Sequence, residues 1–205
     1  MPSSSATTLI IPAYNAAGTL NKTLAELNRL SSDWEILLVD DDSQDGTADL
    51  ARSLLPRCRV ISSPSRKGAA AARNLGVSEA SGELLVFLDS DVQVSAATLE
   101  RLRSRLLKSP QLTGIFGAYC PLGYPGETGL SRFRNLLHCY THRRHAGLAA
   151  SFWTGLGALR RSALPSLRSV KTSVQLLRSK TSNSVIACSR TDISCCSTRL
   201  SREPT

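Results

Sequence analysis

The stretch Leu84–Asp91, with the sequence LLVFLDSD, constrains the fold more than any other part of the chain. Its apolar run begins two residues after Gly82 and has no polar interruption, which is typical of a strand buried on both faces of a parallel sheet. The run ends on two carboxylates, Asp89 and Asp91. Ligands of open α/β sheets bind beyond the carboxyl ends of the strands, so both carboxylates are predicted to reach one crevice.

Carboxylates at such a position are candidate ligands for a hard cation. Mg²⁺ and Mn²⁺ prefer carboxylate oxygens combined with the phosphate oxygens of a substrate. An Asp-X-Asp triplet is also common in polar loops, and Ser90–Asp91 is equally compatible with the start of a turn. The choice between these interpretations depends on the rest of the chain.

Strand and helix patterns alternate over the first 118 residues. Helical spacing of apolar residues predicts four helices, the first capped by Thr19 and the fourth by Ser95. This order, with short links, predicts an α/β fold with a doubly wound, mostly parallel sheet, flanking helices and right-handed crossovers. The predicted strands are Thr8–Ile11, Trp34–Val39, Arg59–Ile61, Leu84–Leu88 and Gly114–Ala118.

Polar residues follow the first two strands as well as the fourth. The first strand is followed by Tyr14 and Asn15, of which Tyr14 can stack on a base. The second ends on Asp40 and Asp41, which can accept hydrogen bonds from a base N–H or a ribose hydroxyl. Because successive strand ends share one edge of the sheet, these groups are predicted to meet.

Cationic and amide side chains are predicted on the loop and helix between the second and fourth strands, namely Lys67, Arg73 and Asn74. A cation there can face phosphate or base oxygens. Each polar residue also has an ordinary interpretation as a packed aromatic, a helix cap or a solvated charge. Their joint occurrence at successive strand ends favours a binding site.

Four segments resemble family 2 glycosyltransferases of the GT-A fold: IPAYNAAGTL, LLVDDDSQDGTADLA, KGAAAARNLG and ELLVFLDSDV. They occur in the family's order and spacing, and the resemblance covers residues 8 to about 164. It implies an inverting transferase that uses a nucleotide-diphospho-sugar donor, UDP- or GDP-linked, and a divalent metal, Mg²⁺ or Mn²⁺. One departure is Asp42, where the family usually has Gly. Its carboxylate either alters the turn or faces solvent, and we expect the latter.

The resemblance also implies roles for single residues. The base pocket is expected to be lined by Pro12, Tyr14 and Asp41. Asp89 is expected on the ribose side of the donor, and Asp91 is expected to hold the metal that bridges the diphosphate. The full expected donor-binding set is Pro12, Tyr14, Asp40, Asp41, Arg73 and Asp89.

The segment FWTGLGALRR, residues 152–161, resembles the family's loop before the acceptor site. Trp153, Gly155, Arg160 and Arg161 are therefore expected on the acceptor side, where the glycines let a sugar approach closely. GLGALR matches a dinucleotide-binding fingerprint only in part, because the third glycine is absent and no buried strand precedes it.

Residues 119–150 are predicted to contain an amphipathic helix that covers the acceptor cleft. Its apolar residues with helical spacing are Leu130, Phe133, Leu137 and Tyr140. His138 and His142 lie four residues apart and His145 follows, which also allows a zinc site. That alternative is less favoured, because no carboxylate lies near.

The composition changes abruptly after Leu164. Residues 165–205 contain no Gly and no aromatic residue, but ten Ser and three of the six Cys. The acidic motif that supplies the family's general base is missing, since the only acids there are Asp192 and Glu203. The catalytic base therefore stays unassigned, and Asp192 would be no more than a guess.

These patterns divide the chain into three parts. Residues 1–118 are predicted to form the nucleotide-sugar-binding half, and residues 119–164 a partial acceptor-side segment. Residues 165–205 are predicted to be an irregular Ser- and Arg-rich tail, either disordered or produced by a shifted reading frame.

The formal net charge is +9, from 25 basic and 16 acidic residues. Residues 165–205 hold seven of the basic residues and two of the acidic ones, so residues 1–164 carry 18 against 14, or +4. No aromatic residue is interleaved with the basic residues of 165–205, as stacking on nucleic-acid bases requires. A nucleic-acid-binding module is therefore the weakest hypothesis, and no nucleic-acid partner is expected.

Cysteine usage and hydropathy bear on location. The six cysteines have no Cys-X-X-Cys pair, which is typical of reduced thiols in a cytosolic chain. MPSSSATT lacks a signal-peptide pattern, and no apolar run approaches the roughly 20 residues of a membrane span. We expect a cytoplasmic protein, with peripheral attachment to the inner face of the membrane left open by the family's lipid-linked acceptors.

Two functional hypotheses stand above the nucleic-acid module. The first is a metal-dependent inverting glycosyltransferase with an unknown hydroxyl acceptor. The second is a catalytically inactive nucleotide-sugar-binding remnant that lacks the general base. Metal-dependent nucleotide binding separates both from a nucleic-acid module, and sugar transfer separates the first from the second.

The frameshift hypothesis has a direct test. If a shifted frame produced residues 165–205, translation of the other two frames beyond codon 164 is expected to give an acidic motif and a glycine-rich continuation. Absence of such a sequence from both frames excludes the frameshift and leaves an unrelated tail.

Overall fold

The computed structural model describes residues 6–119, 129–144, 147–149, 152–164, 185–188 and 194–197. The helices are α1 (Ala17–Leu27), α2 (Thr47–Leu54), α3 (Ala69–Glu79), α4 (Ala96–Leu107) and α5 (Gly129–Arg144). The strands are β1 (Thr7–Ala13), β2 (Trp34–Asp40), β3 (Arg59–Ser62), β4 (Leu84–Leu88), β5 (Val92–Gln93), β6 (Leu112–Phe116), β7 (Ala118–Tyr119), β8 (Gly147–Ala149), β9 (Leu156–Arg160), β10 (Val185–Cys188) and β11 (Ser194–Ser197).

The main sheet has eight strands in the order β3-β2-β1-β4-β9-β6-β10-β8. The first four are mutually parallel, with β1 between β2 and β4. The predicted α/β fold with a doubly wound, mostly parallel sheet and flanking helices is thus confirmed, and its first βαβ units occupy the predicted positions. A second sheet, in the order β5-β11-β7, joins short segments that follow β4 and β6.

Strand β9 was not predicted. It comprises Leu156–Arg160, the last five residues of the GLGALR sequence, and lies antiparallel between β4 and β6. Four of its five residues are buried. The expectation of a loop is therefore wrong for these five residues. The dinucleotide interpretation fails as well, because Gly157 lies within the strand and Gly155 directly before it, and not in a turn from strand to helix.

The sheet is packed between helices on both faces. Leu9 and Ile11 of β1 belong to one hydrophobic cluster with side chains of α1, α2 and α4. Ile10, between them, belongs to a second cluster with Ala72 of α3. Alternate residues of one strand point to opposite faces, so this division reflects a strand buried on both sides.

Helix α3 approaches the sheet closely at Gly76. A Cβ atom on Gly76 would lie 2.4 Å from Cγ2 of Ile10 and 3.2 Å from Cγ2 of Val39. Residues of helix α3 lie near the carboxyl ends of the strands. Its fit against β1 and β2 therefore sets the position of side chains at the site.

Of the two predicted helix caps, one is confirmed and one is wrong. Ser95 caps α4, since its hydroxyl oxygen accepts a hydrogen bond from the backbone N–H of Thr98 at 3.2 Å. Thr19 is not a cap, because α1 begins two residues earlier, at Ala17. Its hydroxyl instead donates to the carbonyl oxygen of Ser90 at 3.2 Å, which ties α1 to the loop after β4.

Two short strands, β10 and β11, lie within the segment predicted to be an irregular tail. β10 extends the main sheet beside β6, and β11 pairs with β5 and β7. The sequence of residues 165–205 had shown no period from which to predict them. The division at residues 164 and 165 stays a prediction.

The predicted zinc ligands and the guessed base fall outside what the structure describes. The side chains of His138 and His142, and residues His145 and Asp192, are not among the described parts. In the portion of the chain that is described, no helix combines the length and the apolar character that crossing a bilayer requires.

Gly76→Ala is expected to destabilise the fold by about 1–3 kcal/mol, because the added methyl overlaps Ile10 in a packed core. Gly129→Ala is the matched control. It makes the same change at a helical position where a Cβ would meet nothing within 4 Å. Urea unfolding of both variants gives the difference, and equal stabilities would contradict the close packing of α3.

Candidate functional site

The site lies where β1 and β4 separate. Pairing of β1 with β4 ends at Ile10 and Phe87, whereas pairing of β1 with β2 continues to Ala13 and Asp40. The strand order reverses at this point, and such a switch point opens a crevice at the carboxyl edge of a doubly wound sheet. Pro12 is buried in the stretch of β1 that pairs with β2 alone, where a residue with no N–H to donate is best tolerated.

Asp41 connects the end of β2 to the start of α3. Its carboxylate accepts hydrogen bonds from the backbone N–H groups of Lys67 at 2.9 Å and Gly68 at 2.7 Å. Its own N–H donates to the carbonyl of Ala13 at 2.9 Å. Asp41 therefore holds the loop before α3 against the ends of β1 and β2, a structural role that the sequence did not indicate.

Asp40 presents a buried acceptor at the same edge. Its side chain is 5% exposed, and among the described residues no donor bonds its Oδ1 atom. Its backbone carbonyl accepts from the N–H of Ser63 at 2.8 Å, which fixes the position of the residue. A buried carboxylate oxygen without a donor is costly, so this atom is suited to receive an N–H or O–H from a ligand.

Arg73 and Asp89 form a partly buried ion pair beside the crevice. Arg73 projects from α3, is 8% exposed, and donates through Nη2 to Oδ1 of Asp89. Its Nε has no hydrogen-bond partner among the described residues. The pair brings together two residues that lie 16 positions apart in sequence and that were both predicted for the site.

The loop after β4 is held from two sides. The N–H of Asp89 donates to the carbonyl of Gly155 at 3.0 Å, and the N–H of Val92 donates to the carbonyl of Asp89 at 3.0 Å. Asp91, between them, is half-buried. Together with the bond from Thr19 to the carbonyl of Ser90, these bonds fix the backbone that carries both carboxylates.

Arg66 is a residue of the site that sequence reasoning missed. Its guanidinium carbon lies 4.0 Å from the centroid of the Tyr14 ring, within the range of a cation–π contact. The available signal was its place next to Lys67 in the loop after β3, at the same strand edge. Tyr14 itself lies at the end of β1 as predicted and is half-buried.

The loops after β1 and β2 are fastened to each other. Asn15 donates its N–H to Oγ of Ser43 at 2.9 Å and accepts from the N–H of Gln44 at 2.9 Å. Asp45 accepts from the N–H of Ala17 at 3.0 Å. Burial acts to raise the pKa of the Asp45 carboxyl, but hydrogen bonds from Thr47, Ala17 and its own backbone outweigh it, so the pKa lies below its usual range. Asn15 therefore links the loop after β1 to the loop after β2.

Asp42 occupies the left-handed region, with a φ of +66°. The family's usual glycine at this position is explained by that angle, which glycine adopts without steric cost. The side chain is half-buried, and its carboxylate accepts from Nε2 of Gln44 at 3.4 Å. The carboxylate is partly exposed and bonds within an exposed loop, so the expectation that it faces solvent stays a prediction, whereas the positive φ constrains the backbone.

Trp153 and Gly155 lie beside Asp89, but the glycines accommodate the chain itself. A Cβ on Gly155 would lie 2.2 Å from Cζ2 of Trp153, and one on Gly157 would lie 2.5 Å from Cζ of Phe152. The expectation that these glycines leave room for a sugar is corrected, because aromatic rings of this chain fill that space. The Trp153 ring packs against Gly155, whose carbonyl accepts from the N–H of Asp89.

Arg160 and Arg161 are not on the acceptor side. Arg160 pairs with Leu84 at the amino end of β4, opposite to Asp89. Its guanidinium donates to backbone carbonyls near the end of α4, including that of Leu106 at 2.7 Å. Arg161 donates to carbonyls at the end of α3, including that of Ala80 at 2.6 Å. Both arginines cap helix ends, which corrects the prediction for them.

The model of the family described as glycosyl transferase family 2 matches residues 8–165. A relative from Escherichia coli, UDP-Glc:alpha-D-GlcNAc-diphosphoundecaprenol beta-1,3-glucosyltransferase WfgD, is 35% identical over 113 residues, which cover 54% of this chain and 44% of that protein. The chain thus spans about half the length of the curated relatives that it matches.

Solved structures with the same fold include two glycosyltransferases. The mannosyltransferase PcManGT from Pyrobaculum calidifontis, in complex with GDP-Man and Mn²⁺, superposes with a TM-score of 0.75 at 19% identity, covering 98% of this chain and 59% of that one. TarS from S. aureus, in complex with UDP-GlcNAc, superposes with a TM-score of 0.70 at 17% identity, covering 96% and 59%. At these identities the likeness concerns the fold.

Asp42→Gly is expected to stabilise the protein by about 0.5–1 kcal/mol, because glycine adopts the left-handed backbone without the steric cost that a Cβ brings. Asp42→Ala removes the same carboxylate but keeps the Cβ, and is expected to destabilise. Thermal unfolding of both variants checks the order, and stabilisation by alanine would show that the carboxylate, and not the backbone angle, is unfavourable.

Proposed function

The chain belongs to glycosyl transferase family 2, and from this premise we propose that it transfers a sugar from a nucleotide-diphospho-sugar donor to a hydroxyl acceptor with inversion at the anomeric carbon. The observation that best supports this is the arrival of Tyr14, Asp40 and Asp89 at one switch point, carried by β1, β2 and β4. Ligands of doubly wound sheets bind there.

In this proposal the nucleotide base stacks on Tyr14 and donates an N–H to Asp40. The buried Oδ1 of Asp40 has no donor among the described residues, so a ligand N–H would supply its partner. Both uracil and guanine carry ring N–H groups, so this acceptor suits UDP- and GDP-linked donors alike. Pro12 and Asp41 shape the pocket around the base, Asp41 by fixing the loop at Lys67.

The ribose side of the donor is assigned to Asp89, with Arg73 as the residue that holds it. Their ion pair keeps the Asp89 carboxylate directed at the crevice while Arg73 offsets its buried charge. A carboxylate held in this way accepts hydrogen bonds from ribose hydroxyls without reorganising. The unpaired Nε of Arg73 leaves one further donor beside the donor site.

The residues at the crevice fit a divalent cation held jointly with a diphosphate. No three Cys, His or acidic side chains of the described residues converge on one point, so an all-protein metal cage is not built there. Asp91, with Asp89 two residues before it, instead supplies the one or two carboxylates that Mg²⁺ or Mn²⁺ takes when phosphates and water fill the remaining positions. When bound, such a cation neutralises the charge that develops on the leaving diphosphate.

The acceptor side is less complete. Inversion requires a general base to remove a proton from the attacking hydroxyl. Among the described residues no acidic side chain follows Glu100, and Trp153 with Gly155 is the part of the predicted acceptor set that remains near Asp89. This observation favours a second candidate function, a nucleotide-sugar-binding domain without transferase activity.

The name of one relative supports a proposal for the acceptor class. The Escherichia coli relative is named for a sugar acceptor on diphosphoundecaprenol, a lipid. We therefore propose a lipid-linked or polysaccharide hydroxyl as the acceptor, and a cytoplasmic location with peripheral contact to the membrane.

Nucleotide binding is expected to raise the unfolding temperature in a metal-dependent manner. Ligand at 100 times its dissociation constant stabilises the folded state by about 2.7 kcal/mol. The measurement is thermal unfolding with UDP or GDP, each with and without Mn²⁺. Asp91→Ala is expected to abolish the metal-dependent part. Asp49→Ala, on the exposed face of α2, is the matched control and is expected to behave as the unmodified protein.

Two outcomes change the assignment. A cooperative transition that no nucleotide shifts would remove the donor site from the proposal. Metal-dependent binding without release of UDP or GDP from a sugar donor, in the presence of undecaprenyl- and polysaccharide-type acceptors, would select the inactive binding domain.

A further inference from the structure

The large exposed hydrophobic side chains are concentrated on one helix. Of the six found among the described residues, one is Leu107 of α4. The other five lie on α5 and are between 43% and 63% exposed. We call these five the α5 face: Leu130, Phe133, Leu136, Leu137 and Tyr140.

The α5 face points away from the body of the protein. Leu130, Phe133, Leu137 and Tyr140 recur every three or four residues and therefore form one stripe along the helix. Among the described side chains of α5, those of Asn135 and Cys139 are buried. The helix therefore packs through the side opposite to the apolar stripe. That the helix covers the acceptor cleft stays a prediction.

The helix is also strongly basic. Its sequence contains Arg132, Arg134, Arg143 and Arg144 and no acidic residue. Leucine and aromatic side chains on one face, combined with arginines and no acids, are typical of helices that lie in the interface of an anionic bilayer. Tyrosine is well suited to this position, since its ring is apolar and its hydroxyl reaches water.

We propose that the α5 face docks on the surface of an anionic lipid bilayer. Two copies of this basic helix would bring net positive charge against net positive charge, which disfavours a second copy of the chain as the occupant. Residues 165–205 contain seven basic residues against two acidic ones, so their net charge does not complement the helix either. Anionic headgroups satisfy the arginines while the acyl boundary receives the apolar stripe.

The position of α5 relates this docking to the candidate site. Strands β4 and β6 both run antiparallel to β9, so their carboxyl ends share one edge of the sheet. Helix α5 packs against β7, which directly follows β6. Docking therefore places the edge that carries Asp89 and Asp91 beside the bilayer. Delivery of a lipid-borne acceptor to that edge rests on the proposed function, whereas the docking itself does not.

The test is flotation of the full chain with vesicles of phosphatidylcholine alone and with vesicles containing roughly one-third phosphatidylglycerol. Binding is expected to the anionic vesicles and to fall as salt is raised. The double variant Phe133→Ser/Leu137→Ser is expected to lower partitioning about tenfold or more, since two apolar anchors are lost. Leu107→Ser is the matched control, because it removes an exposed leucine outside the α5 face.

Arg132→Gln tests the electrostatic part of the docking, because Arg132 is exposed on the same helix. It is expected to weaken binding to anionic vesicles and to reduce its salt dependence. Thermal unfolding of each variant shows that the fold is retained. Asp91→Ala is expected to bind vesicles like the unmodified protein, so loss of nucleotide binding and loss of docking are distinguishable.

Three outcomes would overturn the docking. One is absence of binding to anionic vesicles, and another is equal binding by the unmodified protein and the Phe133→Ser/Leu137→Ser variant. The third is a dimer in vesicle-free solution that this double variant dissociates, which would assign the α5 face to a second copy of the chain.

Discussion

The separation of β1 from β4 is the constraint on which the site depends. Up to Ile10 and Phe87 the two strands share a hydrogen-bond ladder, and their side chains are completely buried on both faces. Beyond that point β1 continues with β2 alone. The polar residues that follow each strand consequently enter one crevice, because the strands are parallel and end at the same edge. A parallel sheet buried on both faces thus brings Tyr14 after β1 and the carboxylates that follow β2 and β4 to one edge.

Carboxylates at this edge have an electrostatic cost that the fold offsets unevenly. Asp41 is stabilised by two backbone N–H groups, and Asp89 by the Arg73 guanidinium. Asp40 keeps a buried oxygen that none of the described residues satisfies. The residues with complete partners hold the architecture of the crevice, whereas the oxygen without a partner is stabilised only by a ligand. Asp40 and Asp41 are neighbours in a run of three acidic residues, and the sequence does not tell them apart. Their hydrogen-bond partners do, because they separate a structural carboxylate from one suited to bind a ligand.

The strands of the first part of the chain and the residues that follow them were predictable because local sequence patterns specify them. Apolar runs, their lengths and the polar residues after them specify β1, β2, β4 and the positions of Tyr14, Asp40 and Asp89. Strand β9 was missed because a five-residue segment that contains Gly157 is set by its neighbours, β4 and β6, and not by its own pattern. For the same reason the sequence did not predict the backbone carbonyls that Arg160 contacts, or the packing of the Trp153 ring against Gly155. Long-range packing decides which guanidinium meets a carbonyl and which glycine meets an aromatic ring.

The amphipathic pattern of α5 shows a further limit of sequence reasoning. Periodicity identifies an apolar stripe but does not say whether the stripe faces protein or solvent. In the structure Asn135 and Cys139 occupy the buried side, and the leucines and aromatic rings are exposed. The arginines of the same helix are the sequence feature on which the proposed docking rests, because anionic headgroups attract a cationic flank. An apolar stripe accompanied by arginines and no acids therefore favours a bilayer over a protein core, even where the adjoining fold is that of a globular enzyme.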